Sequence, residues 1–303
     1  AWTVYGSPAA AARLSLILLA AAAALLWLER MNRLEQSYAG GSARWRTLGQ
    51  TPLVGLKGWA ASLYCLGLVF FGLLLPAGWL AWRGVSAEPQ YDHLVRAAFV
   101  SFGLACAGAA VTVGLASLLA FGERKGVWAK RIASLGYATP GAVMAVGLLG
   151  PASLIWRGFS GIGSGIAIGL GMLLVAYAAR LMASALQPIE AGLSQVTPSM
   201  DRAARSLGET EAGAVRRVHA PLVKGALWTA GLLIFVDVLK ELPATLMLRP
   251  FNFDTLAVLA DRYAGDERLG QAAWPALLIV LTALAPTIWL SRKVMASRPG
   301  ERS

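Results

Sequence analysis

Seven apolar stretches separated by polar or charged segments set the pattern of this chain: Ala12 to Leu28, Trp59 to Trp82, Leu94 to Phe121, Ile132 to Trp156, Ile162 to Leu186, Gly225 to Leu248, and Trp274 to Leu290. A helix of about 20 residues crosses a hydrocarbon core, and these stretches lie near or above that length. Lipid offers no partner to a backbone N–H or C=O, so only helices or closed barrels span it, and the two-residue alternation of barrel strands is absent from this sequence. The pattern therefore predicts an all-α polytopic membrane bundle of about seven spans. Composition agrees, because 57% of the 303 residues are hydrophobic and 14% are charged, which suits no ordinary soluble domain.

One polar interruption carries structure of its own. Asp201 to Leu222 reads DRAARSLGETEAGAVRRVHAPL. Thr197 is placed to cap a helix with Pro198 at its first position and Asp201 in its first turn, and Gly208 is placed to end that helix in a left-handed conformation. A second short helix is expected from about Thr210, with Pro221 turning the chain back into the bilayer. Ala203, Ala204 and Leu207 make a small-residue face that another protein could approach closely. This arrangement resembles the coupling loop of ABC transporter permeases, whose pattern is Glu-Ala-Ala, three residues, Gly, nine residues, then an aliphatic, any residue, Leu and Pro. Ala203, Ala204, Gly208, Val218 and Pro221 fall on it in register, whereas Arg202 stands where the family usually has Glu and Ala220 where it has Leu.

The net charge is +11, and the Lys and Arg residues gather in alternate loops, the opposite set having far fewer. One set holds Arg30, Arg33, Arg44, Arg46 and Lys57, then Arg124, Lys125, Lys130 and Arg131, then Arg202, Arg205, Arg216, Arg217 and Lys224, then Arg292, Lys293, Arg298 and Arg302. The largest opposite loop, Arg249 to Ala273, balances its arginines with Asp254, Asp261, Asp266 and Glu267. By the positive-inside rule the first set is cytoplasmic, which puts the amino end outside, the carboxyl end inside and the hairpin in the cytoplasm. No aromatic-studded soluble domain accompanies the basic residues, which argues against nucleic acid as their partner.

The opening AWTVYGSPAAAARLSLILLAAAAALLWLERM echoes the end, DRYAGDERLGQAAWPALLIVLTALAPTIWLSRKV, with Tyr5-Gly6 set against Tyr263-Ala264-Gly265. Read as a repeat, residues 1–28 are the last span of a preceding half. Residues 29–58, with Gly40-Gly41-Ser42, are then a cytoplasmic linker. Residues 59–292 form a six-span permease domain with its coupling loop at 188–222, and 293–303 a cytoplasmic tail. The chain begins without Met and is expected to be the carboxyl-terminal portion of a longer two-half permease.

The stretch FVDVLKELPATLMLRPFNFDTLA places Asp237, Lys240 and Glu241 on one side of a helix, at spacings of three and four, inside the bundle. Charges in a membrane are costly and face protein or water. Two readings stand side by side. In one, Asp237 and Glu241 line a translocation path, Lys240 partly neutralises them, and Pro243 loosens the helix. In the other, Asp237 and Lys240 form an internal ion pair that tethers neighbouring helices. The run Lys240-Glu241-Leu242-Pro243-Ala244-Thr245, followed by Leu248 to Ala257 and by Asp266-Glu267-Arg268-Leu269, closely resembles the permeases of bacterial ferric iron ABC importers.

That resemblance implies the MetI-like ABC importer permease fold, multi-pass in the bacterial inner membrane. It implies a path for iron(III) delivered by a periplasmic binding protein and driven by a cytoplasmic ABC ATPase dimer. ATP and Mg would be bound by that partner and no cofactor by this chain, and a second permease half or subunit would complete the path. Relatives in the wider group move thiamine, phosphonates, sulfate or polyamines, and an ion-gradient-driven secondary transporter is the rival outside the group.

Enzymatic chemistry finds no foothold. No GxxxxGK[ST] occurs, and no catalytic residues are assigned. Gly161, Gly165 and Gly169 recur every four residues and predict one smooth helix face for close packing rather than a phosphate cradle. His93 and His219 fall on opposite sides of the membrane in this topology. Cys65 and Cys106 are expected as small buried apolar residues, and no metal site is assigned.

Overall fold

In the computed structural model, residues 53–122, 128–158 and 162–296 are described, together with Arg13, Leu14, Leu16–Leu18, Ala20, Ala21, Ala24, Leu25 and Leu28, which are helical. The Tyr5-Gly6 element, most of the 29–58 linker with Arg30, Arg33, Arg44 and Arg46, the pair Arg124 and Lys125, Gly161, and Arg298 and Arg302 in the tail lie outside the described residues. Among the described residues there is no strand.

The helices run in order as α1 (Leu56–Val85), α2 (Tyr91–Gly122), α3 (Trp128–Ala138), α4 (Gly141–Gly158), α5 (Ile162–Leu193), α6 (Pro198–Ser206), α7 (Glu211–Ala214), α8 (Ala220–Leu239), α9 (Pro243–Leu248), α10 (Leu256–Gly265) and α11 (Leu269–Ala296). Among the described residues five helical segments are long and apolar enough to cross a membrane: Leu56–Val85, Tyr91–Gly122, Gly165–Leu193, Val215–Leu239 and Leu269–Arg292. A sixth span arises if the bent pair α3 and α4 counts as one.

Two expectations change here. The stretch Ile132 to Trp156 is not one straight helix, because its two parts meet at 108° across Thr139 and Pro140. Pro140 has no N–H and disfavours helix in the residue before it, so the first helix stops and a second starts at Gly141. The stretch Gly225 to Leu248 is also broken: α8 ends at Leu239, and α9 restarts at Pro243. Proline at the start of a helix costs nothing, since that N–H has no intrahelical acceptor.

Contacts divide the chain into two units, residues 96–258 in one and residues 53–95 with 259–296 in the other. In the first, α5 is the central element and packs on α3, α4, α8 and α9. Bare glycines allow the close approaches. A Cβ on Gly136 of α3 would fall on the Ala179 carbonyl of α5. One on Gly192 of α5 would lie 2.7 Å from the Ala226 Cβ of α8. Gly108 of α2 sits against Val238 and Tyr177, and Gly169 against Pro250 and the Leu248 carbonyl. The core between these helices includes Leu173, Tyr177, Ile189, Val223, Ile234 and Leu239. In the second unit α1 packs on α11, where the Trp274 indole N–H donates to the Ala87 carbonyl at 3.1 Å and Gly84 lies against Ala273 and Trp274.

Two five-residue turns with widened, i to i+5 hydrogen bonding interrupt the α pattern, at Phe70–Leu74 within α1 and at Val215–His219 between α7 and α8. Pro76 and Pro221 follow them, each at the second position of the resumed helix. The wider turn spares the carbonyl with which a proline ring would clash, so each helix passes its proline without ending. Pro221 therefore does not turn the chain, and the segment expected as a separate second hairpin helix runs on into the next span.

Large apolar side chains cover much of the surface, among them Trp59, Leu63, Phe71 and Trp82. That is the reverse of a soluble protein and suits contact with lipid tails. Cys65 and Cys106, expected buried, are both exposed. In a membrane an apolar thiol has no need of a protein interior.

Candidate functional site

The hairpin is built from Thr197 onward. Thr197 is extended (φ −80°, ψ 152°) with Pro198 at the first helical position, but its hydroxyl pairs with the Ser199 hydroxyl at 2.8 Å instead of capping a backbone N–H. The other end closes tightly. Gly208 has φ +82°, the Glu209 N–H reaches the Ala204 carbonyl at 3.0 Å, and the Gly208 N–H reaches the Arg205 carbonyl at 3.0 Å. These two bonds and the left-handed glycine are a Schellman ending, which satisfies carbonyls that would otherwise be orphaned. Thr210 then caps α7, its hydroxyl accepting from the Gly213 N–H at 3.1 Å, and an Arg217–Glu209 ion pair ties the turn to the rising helix.

The face expected from Ala203, Ala204 and Leu207 is divided by this geometry. Adjacent helical residues point about 100° apart, so Ala204 is buried under the hairpin while Ala203 and Gly208 are exposed and Leu207 is 83% exposed. Arg202 and Arg205 are exposed beside them, Val218 is half-buried and Pro221 exposed. Asp201 lies in the first turn of α6, its side chain outside the described residues.

The second cluster lies between α5 and the break separating α8 from α9. Lys240 ends α8 and pairs with Asp237 at 2.9 Å, and its side chain is 64% exposed. Asp237, Lys240 and Glu241 therefore do not share one helix side, Lys240 is not inside the bundle, and the Asp237–Lys240 pair tethers no neighbouring helix. Glu241 turns the other way. It is buried, and Arg180 of α5 forms an ion pair with its Oε2. Its Oε1 accepts the Ala244 N–H at 3.2 Å in the first turn of α9, so the carboxylate also serves that helix as a cap. The Glu241 carbonyl accepts the Thr245 hydroxyl at 2.8 Å, and the Thr245 and Tyr177 hydroxyls bond at 2.7 Å.

Lys130 of α3 pairs with Glu190 near the end of α5 at 2.9 Å, and Arg180 stands ten residues earlier. At about 1.5 Å per residue the two positions are some 15 Å apart along α5. Arg180, Tyr177 and Thr245 had no place in the sequence reading. Arg180 was visible as a charge inside Ile162 to Leu186, but nothing nearby in sequence names its partner 61 residues away. Past α9, an Arg249–Asp254 pair pins the turn that leads to α10, and the Leu256 N–H there donates to Ser101 at 2.7 Å.

Replacing Thr245 with valine leaves the Tyr177 hydroxyl buried without its partner, at a cost of about 1–3 kcal/mol. Thermal unfolding in detergent is expected to show that loss, with Tyr177→Phe in the same chain restoring part of it.

The fold is that of the ABC importer permeases, all-α with several membrane-spanning helices. A solved bacterial alginate ABC transporter in complex with alginate-pentasaccharide-bound periplasmic protein matches with a TM-score of 0.60 and 14% identity, over 78% of this chain and 94% of that one. A second structure of a bacterial ABC transporter, one that imports the acidic polysaccharide alginate, matches at 0.57 and 14%, over 79% and 95%. In sequence the chain is similar to the Fe(3+)-transport system permease protein FbpB 2 of Haemophilus influenzae, at 23% identity over 244 residues, 78% of this chain. The chain spans about half the length of that curated relative, 46%. No family model matches the chain.

Proposed function

We propose that this chain is a permease subunit of an ATP-driven importer of iron(III) in a bacterial inner membrane. Its amino end lies outside, its carboxyl end inside, and the 197–222 hairpin is in the cytoplasm. The observation that carries the reading is the hairpin. A Schellman-closed helix presents exposed Leu207, Ala203 and Gly208 with flanking Arg202 and Arg205, a rigid, partly apolar knob suited to a pocket on a cytoplasmic ABC ATPase dimer. ATP and Mg belong to that partner. Closure of the dimer pulls on the hairpin, and the continuous helix from α7 through α8 carries the displacement to the Asp237–Glu241 segment at the membrane interior. The similarity to an iron(III) permease supports the cargo. A periplasmic binding protein delivers it, and a second permease half or subunit completes the path.

The test is uptake of radiolabelled ferric iron into proteoliposomes holding the full permease, its ATPase and its binding protein. Uptake is expected to require ATP and to resist competition by thiamine or a phosphonate. ATP-dependent uptake of a competitor without iron replaces the cargo. Iron uptake indifferent to ATP overturns the coupling role of the hairpin and favours a gradient-driven carrier.

A further inference from the structure

Both carboxylates of the membrane-embedded segment already hold basic side chains of this chain: Asp237 has Lys240 at 2.9 Å, and Glu241 has Arg180. Among the described residues no group of three or more His, Cys, Asp or Glu could hold a metal ion. We propose that Arg180 is the resident counter-ion of a cation-exchange site at Glu241. The transported multivalent cation takes the Glu241 carboxylate as Arg180 withdraws, and Arg180 reclaims it as the cation leaves. This rests on the reading of the chain as part of an iron(III) importer.

The geometry suits exchange. Oε1 of Glu241 is held by the Ala244 N–H at 3.2 Å, so departure of Arg180 frees Oε2 alone while the carboxylate keeps its orientation. Glu241 lies between two helices, where backbone torsions can change without breaking either helical ladder. The Arg180 side chain is 29% exposed against 8% for Glu241, so Arg180 is the partner with more room to move. The backbone of Gly141, at the start of α4, lies against the pair. A Cβ there would come within 2.8 Å of Glu241 Oε1 and 3.0 Å of Arg180 Nη1, so the pair sits against the α3–α4 bend with no intervening side chain.

The electrostatics give the arrangement a purpose. A hard trivalent cation prefers carboxylate oxygen, and in a low-dielectric interior unoccupied carboxylates would hold it too tightly to let it go. Passage needs binding weak enough to reverse. A built-in guanidinium makes each binding event a substitution, so only the difference between the two partners counts. It also spares Glu241 the cost of a buried charge with no partner when no cargo is present. A pair serving only to tether α5 to α9 would give wild-type protein no cation binding that depends on the Glu241 carboxylate.

Terbium(III), a hard trivalent ion whose luminescence is excited through nearby tyrosine, serves as probe. Tyr177 lies one hydroxyl away from the Glu241 backbone through Thr245. With the complete permease complex in lipid nanodiscs, Arg180→Gln is expected to tighten terbium binding by more than about tenfold, since it removes a competing unit charge from a poorly screened site. Glu241→Gln is expected to abolish the tyrosine-sensitised signal. Arg180→Lys, which keeps the charge but loses the guanidinium fork, is expected to shift affinity the same way by less, and it serves if the glutamine variant does not assemble. Affinity unchanged or weakened in the Arg180 variants, or a signal surviving Glu241→Gln, overturns the proposal. Failure of wild-type vesicles to take up iron overturns the cargo instead, and the two results are read separately.

Discussion

Gly208→Val is expected to reduce ATP-dependent uptake to the level of vesicles without ATP, while the bundle still assembles. Gly208 sits at φ +82°, where a β-branched residue is a severe backbone outlier. Holding an L-residue in that conformation costs about 1–2 kcal/mol, which the local turn can avoid by opening. Opening breaks the two bonds that end α6, from Glu209 to Ala204 and from Gly208 to Arg205, and moves Leu207 out of place. Nothing lies within 4 Å of a Cβ at Gly208, so no core packing is lost and global stability should change little. Two measurements check this: ATP-driven iron uptake, and ATPase stimulation by loaded binding protein. Undiminished uptake would show that the shape of this turn does not matter to coupling.

The second large effect is structural. Gly136→Val is expected to detach α3 from α5, because its Cβ would fall on the Ala179 carbonyl, an atom of helix backbone that cannot rotate away. Overpacking costs about 1–3 kcal/mol where side chains can yield, and here none can. The loss should lie at or beyond the top of that range and carry the Lys130–Glu190 pair on the same two helices with it. Yield of monodisperse protein and the unfolding temperature in detergent would report it. Gly147→Ala on α4, where a Cβ meets nothing within 4 Å, is the matched control and should behave as wild type.

Local chemistry was legible in the sequence where it acts over a few residues. The end of α6 at Gly208 follows from one residue's freedom at positive φ, and the spans from uninterrupted apolar length. The breaks at Pro140 and before Pro243 were harder to read, because a proline in an apolar run equally well kinks a helix, starts one, or follows a widened turn as Pro76 and Pro221 do. Helices apolar on all sides give no face to read, so the burial of Ala204 beside exposed Ala203 depends on tertiary packing. The Asp237–Lys240 pair is local, and its spacing of three could be found by inspection. Arg180 and Glu241 meet only because α5 and α8 run side by side, which no spacing within either segment encodes.

The widened turn at Val215–His219 holds one residue more than an α-helix would use for the same advance. Deleting a residue there would restore a regular ladder yet rotate everything beyond it by about 100°, aiming Asp237 and the break before Glu241 in a new direction relative to the knob below. Length between Gly208 and Glu241 is thus set by mechanics rather than by side-chain chemistry. Within this interval a substitution away from Asp237 and Glu241 should be tolerated where deletion of a single residue is not.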